Sequence, residues 1–95
     1  MFVLQIEHEV FDFVSWKKAF DSDPAGREKM GVHQFEIFCL ADNPNYVLIN
    51  LWFEEIDQAE DAIIQLQTIW NGAGGKVMKD PKNRLLEMMD WKFLQ

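Results

Sequence analysis

YVLINLWFE, residues 46–54, alternates its side chains without alternating their polarity: Tyr46, Leu48, Asn50 and Trp52 share one side, and Val47, Ile49, Leu51 and Phe53 the other. Strand residues at i and i+2 lie on the same face, so a run apolar on both faces is expected inside a sheet covered on both sides. It reads as a central strand. The DNPN preceding it at 42–45 supplies turn chemistry, since Asn and Asp bond their own backbone and Pro presets φ. After it, Asp57 and Glu60 make an Asp-x-x-Glu capping pattern, and Ala59, Ala62, Ile63, Leu66, Ile69 and Trp70 form an apolar helical stripe. That helix should end near Asn71 and Gly72.

Working outward, residues 33–41 form another alternating run, with His33, Phe35, Ile37, Cys39 and Ala41 opposing Gln34, Glu36, Phe38 and Leu40. Residues 2–10 do the same, placing Phe2, Leu4, Ile6, His8 and Val10 on a dry face and Val3, Gln5, Glu7 and Glu9 on the other. Asp12 is positioned to cap the following helix, Phe11 and Trp16 to staple it, and Phe13, Trp16 and Phe20 repeat at helical spacing. Asp23 and Pro24 suit the N-cap and first position of a short helical piece running to Met30 and ending at Gly31. Gly72, Gly74, Gly75 and Pro81 mark 71–83 as loop, with one helical turn around Lys76 to Lys79, and RLLEMMDWKF at 84–93 reads as the last strand. The order β-α-β-β-α-β over residues 1–95 predicts a single α+β domain of ferredoxin-like layout: a four-stranded antiparallel sheet with both helices on one face.

A chain of 95 residues, 48% hydrophobic, supports one core and buries only about 60–65% of its unfolded surface. The helices cover one sheet face; the other, carrying Tyr46, Leu48 and Trp52, needs a partner. The expected solution is a homodimer formed sheet face against sheet face. Sixteen acidic residues against nine basic give a net charge of -7, which opposes nucleic acid and anionic membrane surfaces. MFVLQIEHEV has neither a basic region nor a long apolar run, and no segment approaches the roughly 20 apolar residues of a membrane span. The lone Cys39, set between Phe38 and Leu40, reads as a small buried hydrophobe. These features predict a soluble, cytoplasmic protein.

His8 is the leading catalytic candidate, because a titratable ring on an apolar strand face offers a base or donor to a cavity. The competing reading is a strand histidine held by a backbone carbonyl or by Asp12; the pocket reading is placed ahead. Asp12, Trp16 and Phe20 are the accompanying pocket candidates, the two aromatics serving equally as core. His33 is read as structural, Asn50 and Trp52 as interface, and Arg27 as either an anion holder or, preferentially, a surface ion-pair partner. Two histidines without a spaced carboxylate cluster give no metal site, and NGAGGK at 71–76 lacks the spacing and preceding strand of a phosphate loop. Ser15 suits a local backbone bond rather than a nucleophile.

The His-x-Val-x-Asp-Phe-x-x-Trp-Lys-x-x-Phe-Asp pattern from His8 to Asp21, followed by Gly31, DNPN and YVLINLWF, resembles the dimeric α/β-barrel superfamily, and within it the small antibiotic-biosynthesis-monooxygenase-like or cyclase-like proteins. The resemblance covers most of the chain. It implies a ferredoxin-like protomer whose sheet packs on a second copy, with a small-molecule cavity between sheet and helices. It supplies no reaction, because the superfamily holds cofactor-free oxygenases, haem degraders, isomerases and dehalogenating enzymes. Asn50 and Trp52 do not reproduce the Asn, Trp and His constellation of its oxygenase members. Two functions are therefore expected: a cofactor-independent monooxygenase- or cyclase-like enzyme acting on a small aromatic or polyketide-like molecule, or a non-catalytic, stress-related homodimer that binds a small molecule. Neither calls for a metal or organic cofactor.

Overall fold

A computed structural model describes residues 1–72 and 78–95. The elements run β1 (Phe2–Val10), α1 (Phe13–Asp21), α2 (Arg27–Met30), β2 (Gln34–Leu40), β3 (Asn43–Phe53), α3 (Ile56–Trp70) and β4 (Met78–Glu87). The four strands pair antiparallel in the order β2-β3-β1-β4, so β3 and β1 are central, as the double-sided apolarity of β3 requires. This is the expected ferredoxin-like arrangement. DNPN forms less of the connection than its composition suggests: Leu40 pairs directly with Asn43, and β3 already includes Asn43, Pro44 and Asn45.

Register decides which face each residue shares. Leu4 lies opposite Leu51, Ile6 opposite Ile49 and His8 opposite Val47, placing all six on the helix side, where each is buried. Phe53, Trp16, Met30, Ala59 and Ala62 complete the core. Ala59 and Ala62 are fully buried, and their small side chains let α3 approach the sheet closely. Truncating a core residue such as Leu4 to Ala costs about 2–5 kcal/mol.

The helix boundaries follow local chemistry. Asp12 caps α1, its Oδ2 accepting from the Ser15 N–H and hydroxyl, both at 2.9 Å. Phe11, by contrast, is 62% exposed while Trp16 is buried, so the expected staple does not bury both its members. The short second helix starts later than Asp23-Pro24 predicts. Asp23 adopts φ 55, Gly26 occupies the cap, and Asp23 Oδ1 accepts the Arg27 N–H from outside the helix. Gly31 ends it with φ 97, as expected. The cap of α3 is Glu55 with Gln58, whose Oε1 accepts the Glu55 N–H at 3.2 Å, rather than Asp57 with Glu60.

The largest difference lies at the end of the chain. The last strand is Met78–Glu87, not 84–93, and the helical turn expected around Lys76 falls partly outside the described residues. Pairing with the nine-residue β1 sets this register, with Phe2 opposite Glu87 and Val10 opposite Met78. Pro81 is tolerated because β4 is an edge strand, and the ladder is irregular where Glu7 and Glu9 face it, near Asp80 at φ 48. Residues 88–95 lie outside regular structure, with Met89, Trp91, Phe93 and Leu94 between 73% and 83% exposed. Cys39 is exposed rather than buried, because β2 is the other edge strand and α3 packs on β1, β3 and β4 instead. No helix among the described residues is long and apolar enough to cross a membrane.

Candidate functional site

A cavity of about 110 Å³ lies between the sheet and the helices. Ile6 and His8 of β1 and Ile49 and Leu51 of β3 form its floor; α1 contributes Trp16 and Phe20, and α3 contributes Leu66 and Ile69. Asp23, Pro24, Ala25, Arg27 and Met30 line the remaining side, and the cavity is partly open to solvent. An apolar-walled space of this order takes roughly one aromatic ring, since engineered cavities of about 150 Å³ bind benzene.

His8 is the polar group of the floor, 2% exposed. Its Nδ1 lies 3.0 Å from the Glu9 carbonyl oxygen. A carbonyl only accepts, so Nδ1 carries the proton and Nε2 presents a lone pair. Burial lowers the pKa of His8 from its ordinary 6.5, and the Glu9 hydrogen bond only partly offsets this. The ring is therefore neutral near pH 7, with a basic nitrogen in an apolar space.

The aromatics continue from His8 as one wall. His8 and Trp16 meet edge to face at 5.7 Å, Trp16 and Phe20 lie tilted at 5.3 Å, and Phe20 meets Phe35 edge to face at 5.2 Å. Their helical spacing alone put Trp16 and Phe20 on the sheet side, and both line the cavity. Asp12 does not. Its carboxylate is spent on the cap of α1, where the Ser15 N–H and hydroxyl hold its pKa below the usual range, and the partner of His8 is a backbone carbonyl instead. His33 is exposed, with Nε2 3.1 Å from the sulfur of Met1.

For Arg27 the sequence allows an anion holder or, preferentially, a surface ion-pair partner, and the fold places it at the cavity. Its guanidinium lies 4.0 Å from the centre of the Phe20 ring and 5.1 Å from that of Phe35. Nη1 donates to the Phe20 carbonyl at 2.8 Å and stands 3.5 Å from Asp23 Oδ1. The signal that could have found it is the Pro24-Ala25-Gly26 segment, whose left-handed Gly26 turns the chain back toward α1.

Asn50 and Trp52 lie on the opposite sheet face, away from the cavity. There Glu36 accepts from Trp52 Nε1 at 2.8 Å, Gln34 at 2.6 Å and Asn50 at 3.4 Å, while Gln5 donates to Asn50 at 3.0 Å. Partial burial opposes ionisation of Glu36, but these donors outweigh it and lower its pKa. Tyr46 donates to Glu7 at 3.0 Å, and Arg84 stands 3.6 Å from the same carboxylate. This face thus carries polar networks beside Leu48, Phe38 and Leu86, while Val3 on the same face is already buried. Among the described residues no group of three His, Cys, Asp or Glu side chains is placed to hold a metal ion.

No family model matches the sequence, and no curated protein resembles it significantly. Solved structures do match the fold. SnoaB from Streptomyces nogalater, described as a cofactor-independent oxygenase, superposes with a TM-score of 0.75 at 11% identity, over 95% of this chain and 94% of that one. An antibiotic biosynthesis monooxygenase gives 0.68 at 5% identity, over 95% and 100% of the two chains. Protein Atu4242 from Agrobacterium tumefaciens gives 0.66 at 14% identity over the whole of both. The fold of this chain is the ferredoxin-like one that these structures share.

Proposed function

We propose that this protein is a homodimeric, cofactor-independent oxygenase- or cyclase-like enzyme of the cytoplasm that deprotonates a small aromatic or polyketide-like molecule held in the cavity. The observation that carries this reading is His8. Its Nδ1 is committed to the Glu9 carbonyl, so Nε2 is the free base at the floor of an apolar space. Nε2 takes the proton of an acidic carbon or hydroxyl, Trp16 and Phe20 stack the ring, and exclusion of water protects the carbanion from quenching. In the oxygenase form of the reaction, the carbanion reduces dioxygen by forming a carbon–oxygen bond, the proton held by His8 completes the hydroperoxide, and loss of water with cleavage of the O–O bond leaves a carbonyl. The fold shared with SnoaB supports this chemistry by analogy.

The protein is assayed with a panel of hydroxylated single-ring and fused-ring aromatics and their keto forms, following oxygen uptake and product mass. Replacing His8 with Gln should lower turnover at least about a hundredfold, because a positioned general base contributes at least that much. Unchanged turnover in His8→Gln would remove the base from the mechanism. The small size of the cavity favours, as a second reading, a non-catalytic binder of a single-ring ligand, in which ligands bind without turnover.

A further inference from the structure

The ring wall that begins at His8 ends at Arg27. Trp16 and Phe20 bridge the two, and the guanidinium sits over the Phe20 ring and donates to the Phe20 carbonyl, which holds it in place before any ligand arrives. Among the described residues that line the cavity it is the only cationic side chain, His8 being neutral. Both side-chain polar contacts of Arg27, to the Phe20 carbonyl and to Asp23, use Nη1. The Asp23 contact, at 3.5 Å, is an ion pair rather than a close hydrogen bond. Nη2 and Nε therefore remain as preoriented donors beside an apolar space, and a guanidinium fork matches a carboxylate or an ionised ring oxygen.

We infer that Arg27 is the anion-binding residue of the cavity and that its ligand is a flat, ring-bearing acid, with its ring along Trp16 and Phe20 and its ionised oxygen on the guanidinium. This rests on the reading of the cavity as a ligand site, but not on turnover. The net charge of -7 opposes an anion overall, so a preference for the acid in the cavity has to come from a local cation, and Arg27 is the one that lines it. Asp23 tempers it, because its carboxylate competes with the ligand for the same cation.

The test compares benzoate with benzamide, a matched single-ring pair differing in charge, by calorimetry and by NMR shifts of the Trp16 indole, which localise binding to the cavity. The wild-type protein should bind the acid at least about tenfold more tightly than the amide, the order expected of a hydrogen bond to a charged group. Arg27→Gln should abolish the preference by weakening the acid alone. Asp23→Asn keeps the oxygen that accepts the Arg27 N–H and tolerates the left-handed backbone, so it should fold and tighten acid binding severalfold. Equal binding of acid and amide to the wild type overturns the inference while leaving the cavity reading intact. An undiminished preference in Arg27→Gln, or weaker acid binding in Asp23→Asn, also overturns it. If neither probe shifts Trp16, both the inference and the cavity reading fall.

Discussion

Burying an imidazole beside a backbone carbonyl has a thermodynamic signature independent of any substrate. Unfolded, His8 titrates near 6.5; folded, burial holds it lower. Between those values the unfolded chain binds more protons than the folded one, so the stabilisation is complete above 6.5 and is lost as the pH falls toward the folded value. The slope contributed by this one proton is at most about 1.4 kcal/mol per pH unit. Thermal melts of wild type and His8→Gln between pH 8 and about 5 should therefore converge on acidification, and parallel curves would mean that His8 titrates alike in both states. Alternation along β1 was enough to put His8 on the dry face. A backbone carbonyl was one of the two partners the sequence allowed it; that the carbonyl is that of Glu9 was not legible, because any residue at that position supplies one. Asp12, adjacent in the chain, goes to its own helix, and Arg27, with no pattern around it, reaches the cavity only through the turn at Gly26.

At the scale of elements, local chemistry placed the starts and stops well where one residue type suffices. Asp12 and Gly31 are such positions. Elsewhere the caps fall on other residues than the expected ones: Glu55 with Gln58 instead of Asp57 with Glu60, and Gly26 instead of Asp23. Gly31 also joins two elements, since a Cβ there would lie 2.7 Å from Gln58 Nε2, the amide whose oxygen caps α3. Gly31→Ala should then destabilise by about 1–3 kcal/mol, combining left-handed backbone strain with displacement of that cap. Urea denaturation measures this directly, and a loss below a few tenths would show that Gln58 moves aside without consequence. The last strand was misplaced because Pro81 signals a break in isolation. An edge position with an irregular ladder removes the need for its missing N–H.

For the whole molecule, Phe38 and Leu86 on the sheet face away from the helices and Met89, Trp91, Phe93 and Leu94 of the tail are exposed, the kind of apolar surface that marks an interaction site. A dimer through that face would pack Leu48, which lies opposite Glu7 and Phe38, against a second copy around the polar network of Glu36. Leu48→Glu should then raise the dimer dissociation constant at least about a hundredfold, because a carboxylate would be buried unpaired. Light scattering across a dilution series, with circular dichroism to confirm folding, checks this; a wild-type protein that is monomeric at low micromolar concentration would exclude the dimer. The sequence by itself determined the element order, the centrality of β3, the dry face bearing His8 and the helical stripe of Trp16 and Phe20, because each follows from periodicity or capping among neighbours in the chain. Only the tertiary structure decided that His8 hydrogen bonds to Glu9 rather than Asp12, that Arg27 completes the aromatic wall, that Cys39 is exposed and that the last strand begins at Met78. Those outcomes depend on strand order, register and edge position, which bring together residues that no local pattern relates.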